Sequence, residues 1–343
     1  MRGVIALLGS GETAPGMTKV HRGLLARHDV VRAVNLESPY GFQANVAQVT
    51  QKLVDYFATS LRFELRSLAL TNYESASDVL RERVKRDVRQ STYAFAGPGS
   101  PSYALAQWRP LELIDDLRAQ LAAGGTVCFS SAAVLTLGSH TAPIYEIYKV
   151  GSPPAWLEGL DLFGDLGLRC AAIPHFDNAE GRNYDTRYCY LGEERLVQLE
   201  AQLPAEVAVL GVDEHTALIF DLEEDTVTVT GRSAGHWRHR GETLVLENGS
   251  STPLDALREH ARAPRPVSTK TSILEGREEE PGDSEPTTDS FDPGPLIESV
   301  LALRQRAKSA GDFALADALR RLLTDAGLAV HDRPDHTDWE LPR

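Results

Sequence analysis

From Gly3 to Phe129 the chain repeats one pattern, a short and mostly apolar run followed by a longer stretch with helical spacing. The runs are GVIALLG (3–9), VVRAVNL (30–36), FELRSLAL (63–70), TYAFAG (92–97) and TVCF (126–129). Strands this apolar are buried on both faces, which a sheet covered by helices on both sides provides. The stretches between them read as crossover helices. They are NVAQVTQKLVDYFATSL (45–61), SASDVLRERVKRDV (75–88) with its Ser or Asp cap, and PLELIDDLRAQLAAGG (110–125) with its glycine stop. The expected fold is therefore α/β, a doubly wound and mostly parallel sheet joined by right-handed crossovers. RCAAIPHF (169–176) and EVAVLGV (206–212) are expected in the same sheet. HTALIFDL, TVTVTG and ETLVLE, between 215 and 247, are short and closely spaced, as in an antiparallel meander at one edge.

Near Ala263 the composition changes. Residues 263–295 are rich in Pro, Glu, Asp, Ser and Thr and carry almost no large apolar side chains, so a disordered acidic linker is expected there. It would separate a domain at 1–262 from a helical module at 296–343, two short helices ending at Gly327 before a strand in LAVHD. Eight acids against two bases between Val267 and Asp292 supply part of the net charge of −14. That balance argues against a general nucleic-acid coat, which needs clustered Lys and Arg. Cys128, Cys170 and Cys189 sit in apolar surroundings without disulfide or metal-ligand spacing, as small core residues of a reduced protein. The apolar run after Arg2 is shorter than a signal-peptide core and nothing approaches a membrane span, so a cytoplasmic protein is expected.

In open parallel sheets, ligands bind beyond the carboxyl ends of the strands. Four loops should meet there: GSGETAPG (9–16), AGPGSPS (96–102), FSSAAV (129–134) and PHFDN (174–178). GSGETAPG lacks the Gly-Lys-Ser/Thr ending of a phosphate loop. The paired serines of FSSAAV suit a helix N-cap, and equally a nucleophile elbow that lifts a serine above the sheet. A Ser, a His and carboxylates at neighbouring strand ends are the parts of a hydrolase.

In their order, FAGPGSPSYAL, FSSAAV, IPHFDN with DTRYCYLGEERL, and GVDEHTALI resemble the cyanophycinase and alpha-aspartyl dipeptidase family of serine peptidases. That family has a class I glutamine amidotransferase-like fold, and the resemblance covers residues 3 to about 250. It implies Ser131 as nucleophile, His175 as general base, and the N–H groups of Ala132 and Gly99 as oxyanion donors. Glu146 stands where some members carry the acid that orients the histidine, and Asp177 could serve instead. Arg187 and Asp177 are the candidate substrate-binding residues. Phe129 and Ala133 flank Ser131 where the family has glycines. Ser130, flanked by Cys128 and Ala132, fits the steric rule better and stays a rival, and Cys128 is a third, placed early on the strand. Pro98 occupies an oxyanion-glycine position and has no N–H to donate.

The tail resembles the C-terminal subdomain of cysteinyl-tRNA synthetase. Arg306, Lys308, Asp312, Ala316, Asp317, Arg320, Gly327, Asp332, Pro334, Thr337 and Trp339 fall on its pattern in register. That implies tRNA contact, although acids and bases nearly balance from Leu296 to Arg343. The synthetase's nucleotide-binding signatures and zinc set are missing, so an active synthetase is not expected. The first resemblance implies a serine-type hydrolase or peptidase acting on a peptide or amide bond, with a bond beside an acidic residue as the candidate substrate. No metal or organic cofactor is implied. The competing expectation is a non-catalytic binding protein whose tail touches tRNA or a protein partner.

Overall fold

In the computed structural model the described residues are 2–181, 183–262, 301, 304, 319–320, 323–324, 329–332 and 337–340. The linker expected at 263–295 lies outside them. The chain divides into two compact units, Met1–Ser268 and Thr269–Arg343.

The first unit begins with β1 (Val4–Leu8), α1 (Pro15–Leu25), β2 (Ala33–Leu36), α2 (Val46–Tyr56), β3 (Leu65–Ser67) and α3 (Asp78–Gln90). It continues through β4 (Tyr93–Ala96), α4 (Pro101–Trp108), α5 (Leu113–Ala122), β5 (Thr126–Ser130) and α6 (Ala132–Leu135). After the short pair β6 (His140–Thr141) and β7 (Leu157–Glu158) come β8 (Cys170–Ile173), α7 (Gly192–Glu200) and β9 (Ala208–Val212). The unit closes with β10 (Thr216–Asp221), β11 (Thr226–Gly231), β12 (Gly235–His239), β13 (Glu242–Leu246), β14 (Ser251–Pro253) and α8 (Leu254–Arg262).

The large sheet has eight strands in the order β14-β11-β10-β1-β5-β4-β2-β3. From β1 to β3 every pairing is parallel, while β10, β11 and β14 add an antiparallel edge. Alternation along β1 sends Ile5 and Leu7 into one core, with Trp108 and Phe129. Val4, Ala6 and Leu8 enter another, with Phe57, Tyr93 and Phe95. Both faces are therefore covered, as the apolar strands require. The helices at 45–61, 75–88 and 110–125 form at α2, α3 and α5, and Ser77 caps α3 by accepting from the Leu80 N–H at 3.2 Å. Helices α1, α4, α7 and α8 escape the periodicity. Both α1 and α4 open on a proline, a start signal already present at Pro15 and Pro101.

Two expectations need correction. Strands β8 and β9 do not extend the large sheet; with β12 and β13 they form a second, four-stranded sheet in the order β13-β12-β9-β8. The cause is β10, which pairs antiparallel with β1 and occupies the edge they would have used. For the same reason the meander is split, β10 and β11 in the large sheet and β12 and β13 in the second. In the second unit, β15 (Ala329–Asp332) is the strand expected in LAVHD, and its antiparallel partner is β16 (Thr337–Glu340). Trp339 pairs with Val330 in this ladder. Among the described residues no helix is long and apolar enough to cross a membrane.

The two sheets meet at the end of β1. The Gly9 N–H donates to the Thr216 carbonyl at 2.9 Å, and the Gly9 carbonyl accepts from the His175 N–H at 3.2 Å. A Cβ on Gly9 would lie 1.9 Å from the Asp213 carbonyl oxygen, backbone that cannot swing aside. Gly9→Ala should therefore cost about 2 kcal/mol or more of folding stability, read from the denaturant midpoint. Gly16→Ala, with nothing within 4 Å of its added Cβ, should leave the midpoint nearly unchanged.

Candidate active site

Strand β5 pairs with β1 so that Ser130 lies opposite Leu8, and the next residue, Ser131, donates its N–H to the Leu8 carbonyl at 3.1 Å. The chain then turns sharply. Ser131 has φ 52° and ψ −124°, a conformation that L-residues rarely adopt, and helix α6 starts at the following residue. This is the strained strand-turn-helix of an elbow. Phe129 does not obstruct it, because side chains alternate along a strand and Phe129 points into the core, its ring 5.6 Å from that of Trp108.

Ser131 Oγ lies 2.8 Å from His175 Nε2, and His175 Nδ1 lies 2.8 Å from Glu214 Oε1. A carboxylate only accepts, so Nδ1 carries the ring proton and Nε2 is left to accept from the serine hydroxyl. His175 also has a positive φ, 49°, and is held by backbone bonds to Gly9 and to the Cys189 N–H. Glu214 Oε1 accepts a second bond from Asn178 Nδ2 at 3.0 Å, and the Glu214 N–H donates to Asp177 Oδ1 at 2.7 Å. Hydrogen bonding from His175, helped by Asn178 and opposed by burial, holds the Glu214 carboxyl below its ordinary range. Beside it, buried Asp213 accepts from Ser233 Oγ at 2.7 Å, the Ala234 N–H and His236, pinning the start of β12 to the Glu214 segment.

The structure thus brings Ser131 and His175 together and places the other candidate residues elsewhere. Glu146 is not at the histidine; it accepts from Ser102 Oγ. The carboxylate on Nδ1 is Glu214, which sequence reasoning passed over although it stands in the quoted GVDEH. Asp177 orients the Glu214 backbone. Arg187 is bonded through Nε and Nη2 to Asp185, at 2.9 and 2.8 Å, with Glu193 3.6 Å away. This bidentate partner drives the Asp185 carboxyl far below its usual range, and Arg187 has no free charge for a substrate carboxylate. Ser130 is fully buried on the opposite face of β5 and donates to Glu12 at 3.1 Å. Cys128 is equally buried, its thiol pushed up to about 12 by desolvation and therefore held protonated.

Two N–H groups flank the elbow. Ala132 opens α6, where N–H groups have no partner within the helix. Gly99 lies on the loop that follows β4, the strand paired with β5. Gly99 has φ +148°, and an added Cβ would fall 1.9 Å from the Pro39 carbonyl oxygen, so only glycine fits there.

Comparison with known proteins finds separate matches for the tail and for the larger part of the chain. Residues 294–339 match the family model of the cysteinyl-tRNA ligase anticodon binding domain. Over 47 residues the tail is 45% identical to the cysteine–tRNA ligase of Desulfovibrio desulfuricans, covering 14% of this chain and 10% of that protein. Over 46 residues it is 48% identical to the Beutenbergia cavernae ligase, covering 13% and 10%. The chain spans about a tenth of the length of these curated relatives. The crystal structure of a peptidase from an acI-B1 actinobacterium superposes with a TM-score of 0.60 at 20% identity, covering 74% of this chain and 97% of that one. The two parts, a peptidase-like α/β fold and a tail like that of cysteinyl-tRNA ligase, are those expected from the sequence.

Because the folded Glu214 carboxyl titrates below its ordinary 4.5, the stability it adds is fully present above that value. This contribution is lost as the pH falls through the lowered folded value. The stability gap between the native chain and Glu214→Gln should therefore be widest near neutral pH and close towards pH 3, as read by thermal melts across that range.

Proposed function

We propose that the first unit is a serine hydrolase cleaving a peptide or amide bond. The observation that carries the reading is the continuous hydrogen-bonded line Ser131–His175–Glu214, with the serine on a strained turn at the carboxyl ends of the strands. As the Ser131 oxygen attacks the substrate carbonyl carbon, its proton passes to His175 Nε2, and Glu214 stabilises the imidazolium that forms. The oxyanion is held by the N–H groups of Ala132 and Gly99, with Pro98 contributing none. When the tetrahedral intermediate collapses, the carbon–nitrogen bond breaks and the leaving amine takes its proton from His175. Water then attacks the acyl carbon as it gives a proton to the same nitrogen, and His175 returns that proton to the Ser131 oxygen as the ester bond breaks, releasing the acid.

A fluorophosphonate probe tests this directly, because it reacts with activated serines. Intact mass should show one adduct on the native chain and on Ser130→Ala, and none on Ser131→Ala. Glu214→Gln should label about 10³–10⁴-fold more slowly, as expected when the carboxylate that fixes the tautomer is removed. Absence of an adduct on the folded native chain would overturn the reading in favour of a binding protein.

The family match at 294–339 favours a separate role for the tail, contact with tRNA. The full chain should then retain tRNA on a filter at low salt, and Arg306→Glu with Lys308→Glu should weaken that retention about tenfold or more. Equal retention by both chains would remove the proposal.

A further inference from the structure

A cavity lies on the far side of β1 from Ser131. The end of β1 stands between the two, with β5 leading to Ser131 on one side and β10, which follows His215, on the other. Helix α1 packs against β10 and β11, and there Lys19, His215, Arg232 and Asn248 line a space of about 540 Å³. No acidic side chain lines it. Three basic side chains thus face one space, and among the described residues none of them makes an ion pair or a side-chain hydrogen bond. Acids are in excess in this chain, 49 against 35 lysines and arginines, and the hollow beside β2 uses one: Arg66 and Arg86 both hold Asp87 there. Like charges gathered without a counter-charge repel, and an anion removes that cost.

The wall that carries His215 is fixed. His215 has φ 53°, in the left-handed region. A Cβ on Gly11 would lie 2.3 Å from its Nδ1 and a Cβ on Gly231 2.4 Å from its carbonyl oxygen, so the residue is clasped between two glycines. Its N–H donates to Ser10 Oγ at 3.2 Å, and its carbonyl accepts from the Arg232 N–H at 3.0 Å. Asn248 holds Gly231 in turn, Nδ2 donating to the carbonyl at 2.8 Å and Oδ1 accepting from the N–H at 3.1 Å. The backbone is thus satisfied, while the half-buried imidazole keeps its polar atoms for the cavity. The guanidinium offers a planar fork, the ammonium a point charge and the imidazole an N–H in either tautomer. Three donor groups from separate elements suit the three free oxygens of a phosphate better than the two of a carboxylate.

We propose that this cavity binds a phosphate dianion, free or as the monoester of a small molecule, with Lys19, His215 and Arg232 as its donors. Its volume falls among those of small-ligand sites, about 300–1,000 Å³, which leaves room for the organic part of a monoester. The site is separate from Ser131 and takes part in no step of the hydrolase mechanism.

Calorimetry on the native full chain tests this at about pH 7.5, where phosphate is mostly dianionic, and at constant ionic strength. The probes are inorganic phosphate, glycerol 3-phosphate and succinate. One saturable phosphate site per chain is expected, weakened about tenfold or more in Lys19→Gln with Arg232→Gln, the usual worth of a lost charge-assisted contact. Arg306→Glu with Lys308→Glu should bind phosphate as the native chain does, which separates this site from the tail. Phosphate should also slow acetylation of Lys19 on the native chain, read by peptide mass, a measurement that needs no variant to fold. Tighter binding of glycerol 3-phosphate identifies the ligand as a monoester and tighter binding of inorganic phosphate as the free ion; both support the site. Unsaturable binding of both phosphate probes, undiminished affinity in the Lys19→Gln, Arg232→Gln chain, unchanged acetylation, or succinate binding as tightly as phosphate would each overturn it.

Discussion

Where β1 ends, segments from both sheets meet at a residue with no side chain. The Gly9 N–H is taken by Thr216, its carbonyl by His175, and the space of its missing Cβ by the Asp213 carbonyl. Ser131 hangs from the preceding carbonyl, that of Leu8. The three members of the proposed relay, although 83 positions apart in sequence from Ser131 to Glu214, are therefore all referred to two consecutive residues of one strand. That strand is rigid. Every residue of β1 is at most 1% exposed, and it is paired on both sides, with β5 and β10. The required precision of a few tenths of an ångström comes from the sheet and not from the loops.

Strain is concentrated at the same place. Ser131, His175 and His215 all have positive φ, as do the consecutive Tyr188, Cys189 and Tyr190 that fold back on the histidine. Each such residue costs about 1–3 kcal/mol, so the surroundings must over-determine it. Here they do so with backbone bonds. Tyr188 donates to the Phe176 carbonyl and Cys189 to the His175 carbonyl, while Phe176 stacks on His236, ring centroids 4.8 Å apart, and fills the space above Gly211. Asp213, buried yet held below its ordinary range because its hydrogen bonds from His236 and Ser233 outweigh desolvation, ties the second sheet to this turn. A relaxed histidine loop would satisfy local preference and lose the serine.

What was legible in the sequence was whatever a local pattern fixes. Apolar runs located β1, β2, β4 and β5, caps and glycine stops located α3 and α5, and the order of motifs singled out a serine and a histidine that the fold brings within 2.8 Å of each other. Pairing between distant strands was not legible. Nothing within TALIFD states that it lies antiparallel beside β1, yet that one pairing moved β8 and β9 into a second sheet. The same blindness misplaced the acid. Glu146 and Glu214 follow apolar stretches equally well, and only the crossing of β9 past the end of β1 decides which of them reaches Nδ1. A better signal was available in GVDEH, where an acid follows directly on a strand that was expected near the histidine strand.

The two glutamates then differ through their surroundings. Glu214 Oε1 is met by two donors, an imidazole N–H and an amide N–H, and the Glu214 backbone is fixed by Asp177. Its negative charge is thus directed at a group inside the protein, where it holds a ring and balances the charge that ring acquires. Glu146 has one hydroxyl for its two oxygens, and its second oxygen is buried without a hydrogen-bond partner. A carboxylate's place in the sequence therefore says less about what it can do than the donors that the fold brings to its two oxygens.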